Sequence, residues 1–391
     1  MLSGRGLQFK IEQAFSKVLN EWENILPEGH HLISGDMLAL ENSRPPDIIF
    51  HYVTVYKNGV AIGALYLQHL VFGSKHFNQS VLQKSYMKLA GPLVARFKAH
   101  LLVCGNLFRV NFQGFYFKEK EDRSLVFDIL GFLKKHLGKK RYVGVLVKDC
   151  KREFVPAKYS CYRFLPFRQD LTMEMNIWSE WKTFDDYIAV LSKKYRQRAL
   201  KIRKSVASLE RKFLSLEEII ANSKAIENLY KEVVQKQSLA LGILNVDYFI
   251  EMKKQLGDKF EIVAFLKDGQ LLAFSGHIYY PEKGAMELHY IGFNYQFNHE
   301  YNLYFNIIFD GIETAIQKGY KSVEMGRTAR EAKASAGAKA VENFNYIWVK
   351  AGLPRMAVRF FSKKFEDRMG DEWLHRNPYK EAQPVIAHSP L

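Results

Sequence analysis

Cysteine is scarce in this chain. Three occur in 391 residues, Cys104, Cys150 and Cys161, odd in number, widely spaced and without a Cys-x-x-Cys pair. That excludes a disulfide framework and a cysteine-built zinc site, leaving buried free thiols and no expected metal. Long apolar runs are also missing. Nothing reaches the about 20 residues that span a bilayer, and Met1 to Lys10 carries no apolar core of signal-peptide length. No transmembrane segment is expected, and the cytoplasm is the expected compartment.

What the chain has is bulk and positive charge. Its length favours two domains over one, since a domain takes roughly 100–200 residues. Apolar residues make up 48%, with 29 Phe and 21 Tyr, so each half can bury a core. The net charge of +16 fits either an anionic partner or a solvated basic surface.

The two halves resemble one another. Residues 48–70 hold two β-rich runs around Lys57-Asn58-Gly59, and 261–280 hold two around Asp268-Gly269. Asn-Gly and Asp-Gly suit the positive-φ positions of a tight hairpin turn. After the first hairpin come an expected strand at 108–118, a helix at about 122–137 and a strand at 142–150. After the second come a strand at 286–295, a helix at 300–318 and a strand at 321–326. A mixed-sheet α/β (α+β) unit repeated in tandem is the expected fold, with domains at 1–178 and 179–391. The extra residues at about 72–100 are read as a helix, and the tail after Trp373 as loose.

Within 300–318 the apolar positions keep a 3.6-residue period, with Asn298 as N-cap and Gly319 as stop. One long helix is expected over about 184–212, opened by a Thr183/Asp186 capping pair. Its stripe runs from Phe184 through Ile188, Leu191, Tyr195 and Ile202 to Leu209.

Three segments carry a family resemblance: Leu191 to Arg196 with Arg203-Lys204; Glu287 to Gly319; and Val323-Glu324-Met325-Gly326-Arg327-Thr328 followed by Lys333, Gly337 and Ala338. They resemble the FemAB-like branch of the GNAT superfamily, well over about 180–360 and more weakly over 40–175. The resemblance implies two GNAT-like domains. It also implies transfer of an acyl group to an amine, from acyl-CoA (acetyl-CoA above all) or from aminoacyl-tRNA.

In such a site the strand before the helix offers main-chain N–H groups to an oxyanion, so Tyr290, Ile291 and Gly292 are candidate donor-binding residues. Gly292 is taken to let the donor approach closely. Asn298 and Asn302 fall at the following loop and helix start, where phosphate binds. That loop, Asn294 to Glu300, departs from the glycine-rich acyl-CoA pattern: it has no Gly, Arg or Lys. Glu324, near a strand end, is the candidate general base, or else a carboxylate paired with Arg327 or Arg330. His289 is a proton shuttle or a structural histidine, and alternation puts it on one face with Glu287. Tyr301 is a candidate to protonate the leaving group or a core residue. Arg196, Arg203, Arg327 and Lys333 are candidate substrate-binding cations or surface charge. The first domain, with an acidic helix start at Glu119 to Asp122, is expected to shape the acceptor groove rather than bind a donor.

Three functions compete. The leading expectation is an N-acyltransferase using acyl-CoA on a small-molecule or peptide amine. The alternatives are a Fem-type transferase using charged tRNA in cell-wall precursor synthesis, and a non-catalytic relative that binds RNA or the precursor.

Overall fold

The computed structural model describes residues 2–4, 6–73, 76, 98–119, 121–137, 142–150, 164–237, 241–350 and 376–380. In chain order the first elements are β1 (Leu2–Gly4), β2 (Leu7–Glu12), α1 (Leu19–Glu23), α2 (Gly35–Asn42), β3 (Ile48–Lys57), β4 (Val60–Gly73), β5 (Lys98–Cys104), β6 (Phe115–Phe117), α3 (Leu125–His136) and β7 (Gly144–Cys150). They continue as β8 (Leu165–Asn176), α4 (Phe184–Val190), α5 (Lys193–Ser205), β9 (Glu210–Phe213), α6 (Leu216–Ala221), α7 (Ser223–Gln235), α8 (Val246–Leu256), β10 (Phe260–Lys267), β11 (Gln270–Tyr280) and β12 (Ala285–Phe293). The last are α9 (Tyr295–Tyr301), α10 (Leu303–Gln317), β13 (Ser322–Glu324), α11 (Arg330–Ser335) and β14 (Lys339–Val349).

The chain forms two compact units. The first comprises 1–170, 237–244 and 342–369; the second comprises 171–236, 245–341 and 370–391. In the first, the strands run β1-β2-β3-β4-β5-β7 and then the 342–349 part of β14, with β6 beside β4. In the second the order is β8-β13-β12-β11-β10-β9. Among the described residues β5 pairs in parallel with β7, and β12 with β13. Both units are GNAT-like α/β folds in which a hairpin leads to a strand, a helix and a parallel strand.

The hairpin turns form as their sequences require. Asn58 and Gly59 have φ of 51° and 77°, and Asp268 and Gly269 have 48° and 79°. These are the left-handed values of a type I′ turn, whose twist matches that of the flanking strands. In the first unit, β4, β5 and β7 bury Leu65, Leu67, Leu102, Cys104, Val145 and Val147 against α3. In the second, Met286, Leu288 and Val323 pack beneath Ile308 and Ile312 of α10. The helix α10 stops at Gly319, φ 73°, where the Tyr320 N–H reaches back to the Ala315 carbonyl.

Several expectations need correction. The strand equivalent to β12 in the first unit is β5, not 108–118. That stretch turns at Asn111, φ 52°, and forms only the short β6. Of the expected helix at 72–100, residues 74–75 and 77–97 lie outside the described set, and 98–100 begin β5. Cys161 also lies outside it, whereas Cys104 and Cys150 are buried free thiols.

The helix expected over 184–212 is two helices and a strand. Leu191 and Ser192 are extended, at ψ 145° and 156°. Residues 376–380 dock at that break: the Ser192 N–H donates to the Pro378 carbonyl and the Lys380 N–H to the Val190 carbonyl. This part of the tail is therefore fixed. The Thr183/Asp186 capping box forms. The helix expected at 300–318 is divided by Asn302, which is left-handed at φ 48°.

Candidate active site

The site begins where β12 and β13 separate. They pair over three positions only, Ala285 with Ser322, Met286 with Val323 and Glu287 with Glu324. Beyond Glu287 the strand β12 continues to Phe293 with no strand on that side among the described residues. A strand that parts from its parallel neighbour in this way can turn main-chain groups toward a developing oxyanion.

On its other side β12 carries a bulge. Ser275 pairs with Ile291 and His277 with Leu288, so His289 and Tyr290 together oppose Gly276. Tyr290 takes a left-handed φ of 47° at this point. A bulge re-aims side chains and twists the strand away from its neighbour.

Three carboxylates stand abreast on one face. Glu324 is in register with Glu174 of β8 and with Glu287 of β12, and residues in register share a face. The neighbouring positions Met286 and Val323 point into the core under α10, so the acids face the opposite side. Glu287 is buried and tied into a relay. Its Oε1 lies 2.7 Å from His289 Nδ1, and Tyr280 donates to Oε2 at 3.2 Å. The carboxylate accepts, so Nδ1 carries the proton; the Tyr248 hydroxyl, 2.6 Å from Nε2, then donates to it. Among the described residues no group of three or more His, Cys, Asp and Glu side chains is arranged to hold a metal.

Lys333 is the cation of this site. It is buried on α11, and its Nζ lies 3.8 Å from where a side chain at Gly326 would begin. Its main chain is bonded within α11, the N–H to the Ala329 carbonyl and the carbonyl to the Ala336 and Ala338 N–H groups. Burial pushes its amine down to about 7, opposed by the charge of Glu324 and assisted by that of Arg330. Arg330 is spent on main chain, donating to the carbonyls of Arg327 and Leu171. Arg327 follows Gly326 directly and is half-buried.

The structure thus brings together Glu324, His289 and Lys333, adds Glu287, Glu174, Tyr248 and Tyr280, and leaves Arg327 on the segment that follows β13. Glu287 was visible through its alternation with His289. Tyr248 comes from a helix about 40 residues upstream of His289, and no spacing in the sequence signals it.

Other candidates fall elsewhere. Tyr301 packs in a separate core with Phe293 and Leu303 and accepts a hydrogen bond from Lys267 at 2.6 Å, so it is not beside Glu324. Arg203 is paired with Glu313 of α10 and lies over the Phe184 ring. Arg196 is half-buried on α5 and forms no ion pair among the described residues. Gly292 does not open space for a donor. A Cβ there would sit 2.8 Å from the Leu229 and Tyr230 main chain, so the missing side chain admits α7. Tyr290 packs edge-on against Tyr230, and Ile291 against the Phe293 core.

The head of α9 is already capped from within, and one amide in the first turn of α10 is taken as well. Asn294 accepts from the Gln296 N–H, Glu232 from the Tyr295 N–H, and Asn298 from the Tyr304 N–H. Asn302 holds the N-cap position of α10 instead of Asn298, which lies within α9 and accepts from an amide of the first turn of α10. Asn302, expected to meet a phosphate, instead bends the chain and donates to Ser205. The Tyr295, Gln296 and Tyr304 amides are thus already engaged by side chains.

A FemAB-like family profile, described as peptidoglycan biosynthesis and recognition, matches residues 166–381, more than half of the chain. The chain belongs to the FemAB-like family. Among solved structures, this FemAB-like protein is similar to FemX, at 9% identity and a TM-score of 0.51, over 91% of this chain and 100% of that one. It is also similar to the L-PGS of Bacillus licheniformis (12% identity, TM-score 0.45, 84% and 95% covered). A tandem GNAT protein of clavulanic acid biosynthesis matches at 11% identity and a TM-score of 0.45, with 88% and 99% covered. At such identities the FemX likeness establishes the fold. No curated protein matches. Membership supports acyl or aminoacyl transfer as the general activity. No helix among the described residues is long and apolar enough to cross a membrane.

Proposed function

We propose that this FemAB-like protein transfers an aminoacyl group from the 3′ end of a charged tRNA to an amine of a cell-wall precursor peptide. The observation that carries the transfer is the pair of Glu324 and Lys333 at the point where β12 and β13 part. The observation that favours an RNA-borne donor over acyl-CoA is the first turn of α9, whose Tyr295 and Gln296 amides are engaged by Glu232 and Asn294, together with the Tyr304 amide of α10, which is engaged by Asn298. The net charge of +16 agrees with an RNA partner. Charged tRNA is a cytoplasmic substrate, which assigns the reaction to that compartment.

The chemistry balances on these residues. The acceptor nitrogen attacks the ester carbonyl carbon, forming the C–N bond. Glu324 takes the nitrogen's proton. The carbonyl oxygen, negative in the tetrahedral intermediate, lies against β12 beyond the point where it parts from β13. The ester C–O bond breaks, and the ribose oxygen receives a proton from the Lys333 ammonium, which an acid near neutrality supplies readily. Proton transfer from Glu324 to Lys333 restores both groups. Glu287, held by His289 and Tyr280, keeps a second acid beside the incoming amine.

The test is direct. Purified protein is given radiolabelled aminoacyl-tRNA with a precursor peptide bearing a free amine, and in parallel acetyl-CoA with the same peptide. Peptide labelling from the tRNA alone supports the proposal. Labelling from acetyl-CoA alone overturns the donor assignment. Precursor binding without any transfer indicates a recognition protein.

A further inference from the structure

The helix α5 presents charge out of proportion to its length. Its sequence, Lys193 to Ser205, holds seven cations and no acid. One of them, Arg203, is consumed by Glu313. Lys193, Lys194, Gln197, Arg198, Lys201 and Lys204 are all exposed. At ~100° per residue they fall within an arc of about 140°. The opposite side, Ala199 and Ile202, is buried.

This face runs into a pocket of about 470 Å³ at the head of α10, lined by Lys201, Ser205, Asn298, His299, Glu300, Asn302 and Phe305. The Phe305 ring is half-buried, with the Arg198 guanidinium 4.6 Å from its centre. Because the Asn298 oxygen accepts from the Tyr304 N–H, its amide N–H₂ is left as a donor. The pocket also carries the Glu300 carboxylate, which repels a phosphate but not a base.

We infer that the exposed face of α5 docks the backbone of a single-stranded RNA end, and that the pocket beside it takes one unstacked base against Phe305. Cationic side chains holding phosphates beside an aromatic ring that stacks a base are the physical parts of single-strand binding. A membrane surface fits less well: the apolar side of α5 is spent in the core, leaving Leu200 as its one exposed apolar residue. The inference rests on the reading of a tRNA-borne donor and says which surface of the second unit receives it.

The experiment uses the full chain and RNA that carries no acyl group, so docking is measured apart from transfer. Fluorescence anisotropy follows binding of labelled uncharged tRNA from low to moderate salt. Replacing Lys193, Lys194, Lys201 and Lys204 together by Gln is expected to flatten the slope of log K against log salt by roughly 3 and to weaken binding at least tenfold at low salt, with thermal stability kept. An abasic 3′ terminus is expected to weaken the wild type about tenfold but not Phe305→Leu.

An unchanged slope in the quadruple variant overturns the docking face. An abasic end that binds as well as the intact one overturns the pocket. Phosphatidylglycerol vesicles that bind as tightly as RNA, and are lost in the same variant, overturn the RNA assignment in favour of a membrane. If RNA docks as described yet charged tRNA donates nothing, the surface stands and the donor reading falls. If the quadruple variant transfers from charged tRNA with unaltered KM, the surface falls and the donor reading stands.

Discussion

Glu287 and Glu324 face one another across the last in-register pair of β12 and β13. One is held by His289 and Tyr280, and the other lies in the field of Lys333. Two acids at one position thus have different partners, which is how a site separates a proton acceptor from a fixed charge.

Glu324→Gln is expected to lower turnover by about 10²–10⁴-fold, the usual worth of a positioned base, and to leave the melting temperature nearly unchanged because the shape is preserved. Single-turnover transfer and calorimetry check this. Turnover within threefold of the wild type removes Glu324 from the chemistry.

Lys333 is expected to set the basic limb of the pH profile. As pH rises through about 7 the ammonium is lost, and kcat falls with it. Lys333→Arg stays charged, so its residual activity should show no such limb. Stability moves the other way. The amine titrates near 7 when folded and near 10.5 when unfolded, so between these values the unfolded chain binds more protons and stability climbs with pH. Lys333→Met should flatten that climb in urea titrations; a parallel slope rejects the buried amine.

Acid is expected to weaken the first unit through His51. Its ring is buried, both nitrogens lack a hydrogen-bond partner among the described residues, and burial lowers its pKa from 6.5 to about 4. The folded value lies below the unfolded one, so the neutral ring's contribution is complete above pH 6.5 and is lost as pH falls towards 4. The loss amounts to at most roughly 3 kcal/mol. His51→Leu should remove this acid dependence without lowering stability at pH 7.5, as urea midpoints from pH 4 to 7.5 would reveal.

Gly292→Ala is expected to destabilise the second unit by about 1–3 kcal/mol, since its Cβ meets the α7 main chain at 2.8 Å and also the Phe274 ring. A variant as stable as the wild type would show that α7 yields freely.

The hairpins, the strand β12 and the placing of Glu324 and Lys333 were legible because each rests on local chemistry: a positive-φ pair, an alternation, a residue beside a strand end. The break at Leu191 was not. The apolar spacing runs through it unbroken, and the residues that dock there, Pro378 and Lys380, are almost 190 positions away. Tyr301 misled for a similar reason. It sits at the right spacing from β12, but it packs with Phe293 and Leu303 and takes its hydrogen bond from Lys267. Tyr248 joins the site through the packing of α8, which no pattern around His289 encodes.

Three rungs hold β12 to β13, and the last rung is a pair of like charges. Their mutual repulsion pushes against the ladder at its open end. Under the transfer proposed above, a protonated amine entering between the two acids would cancel that push and favour strand ends drawn inward around it. Once acylated, the nitrogen would be neutral and that pull gone, so the product would loosen the grip that its precursor tightened.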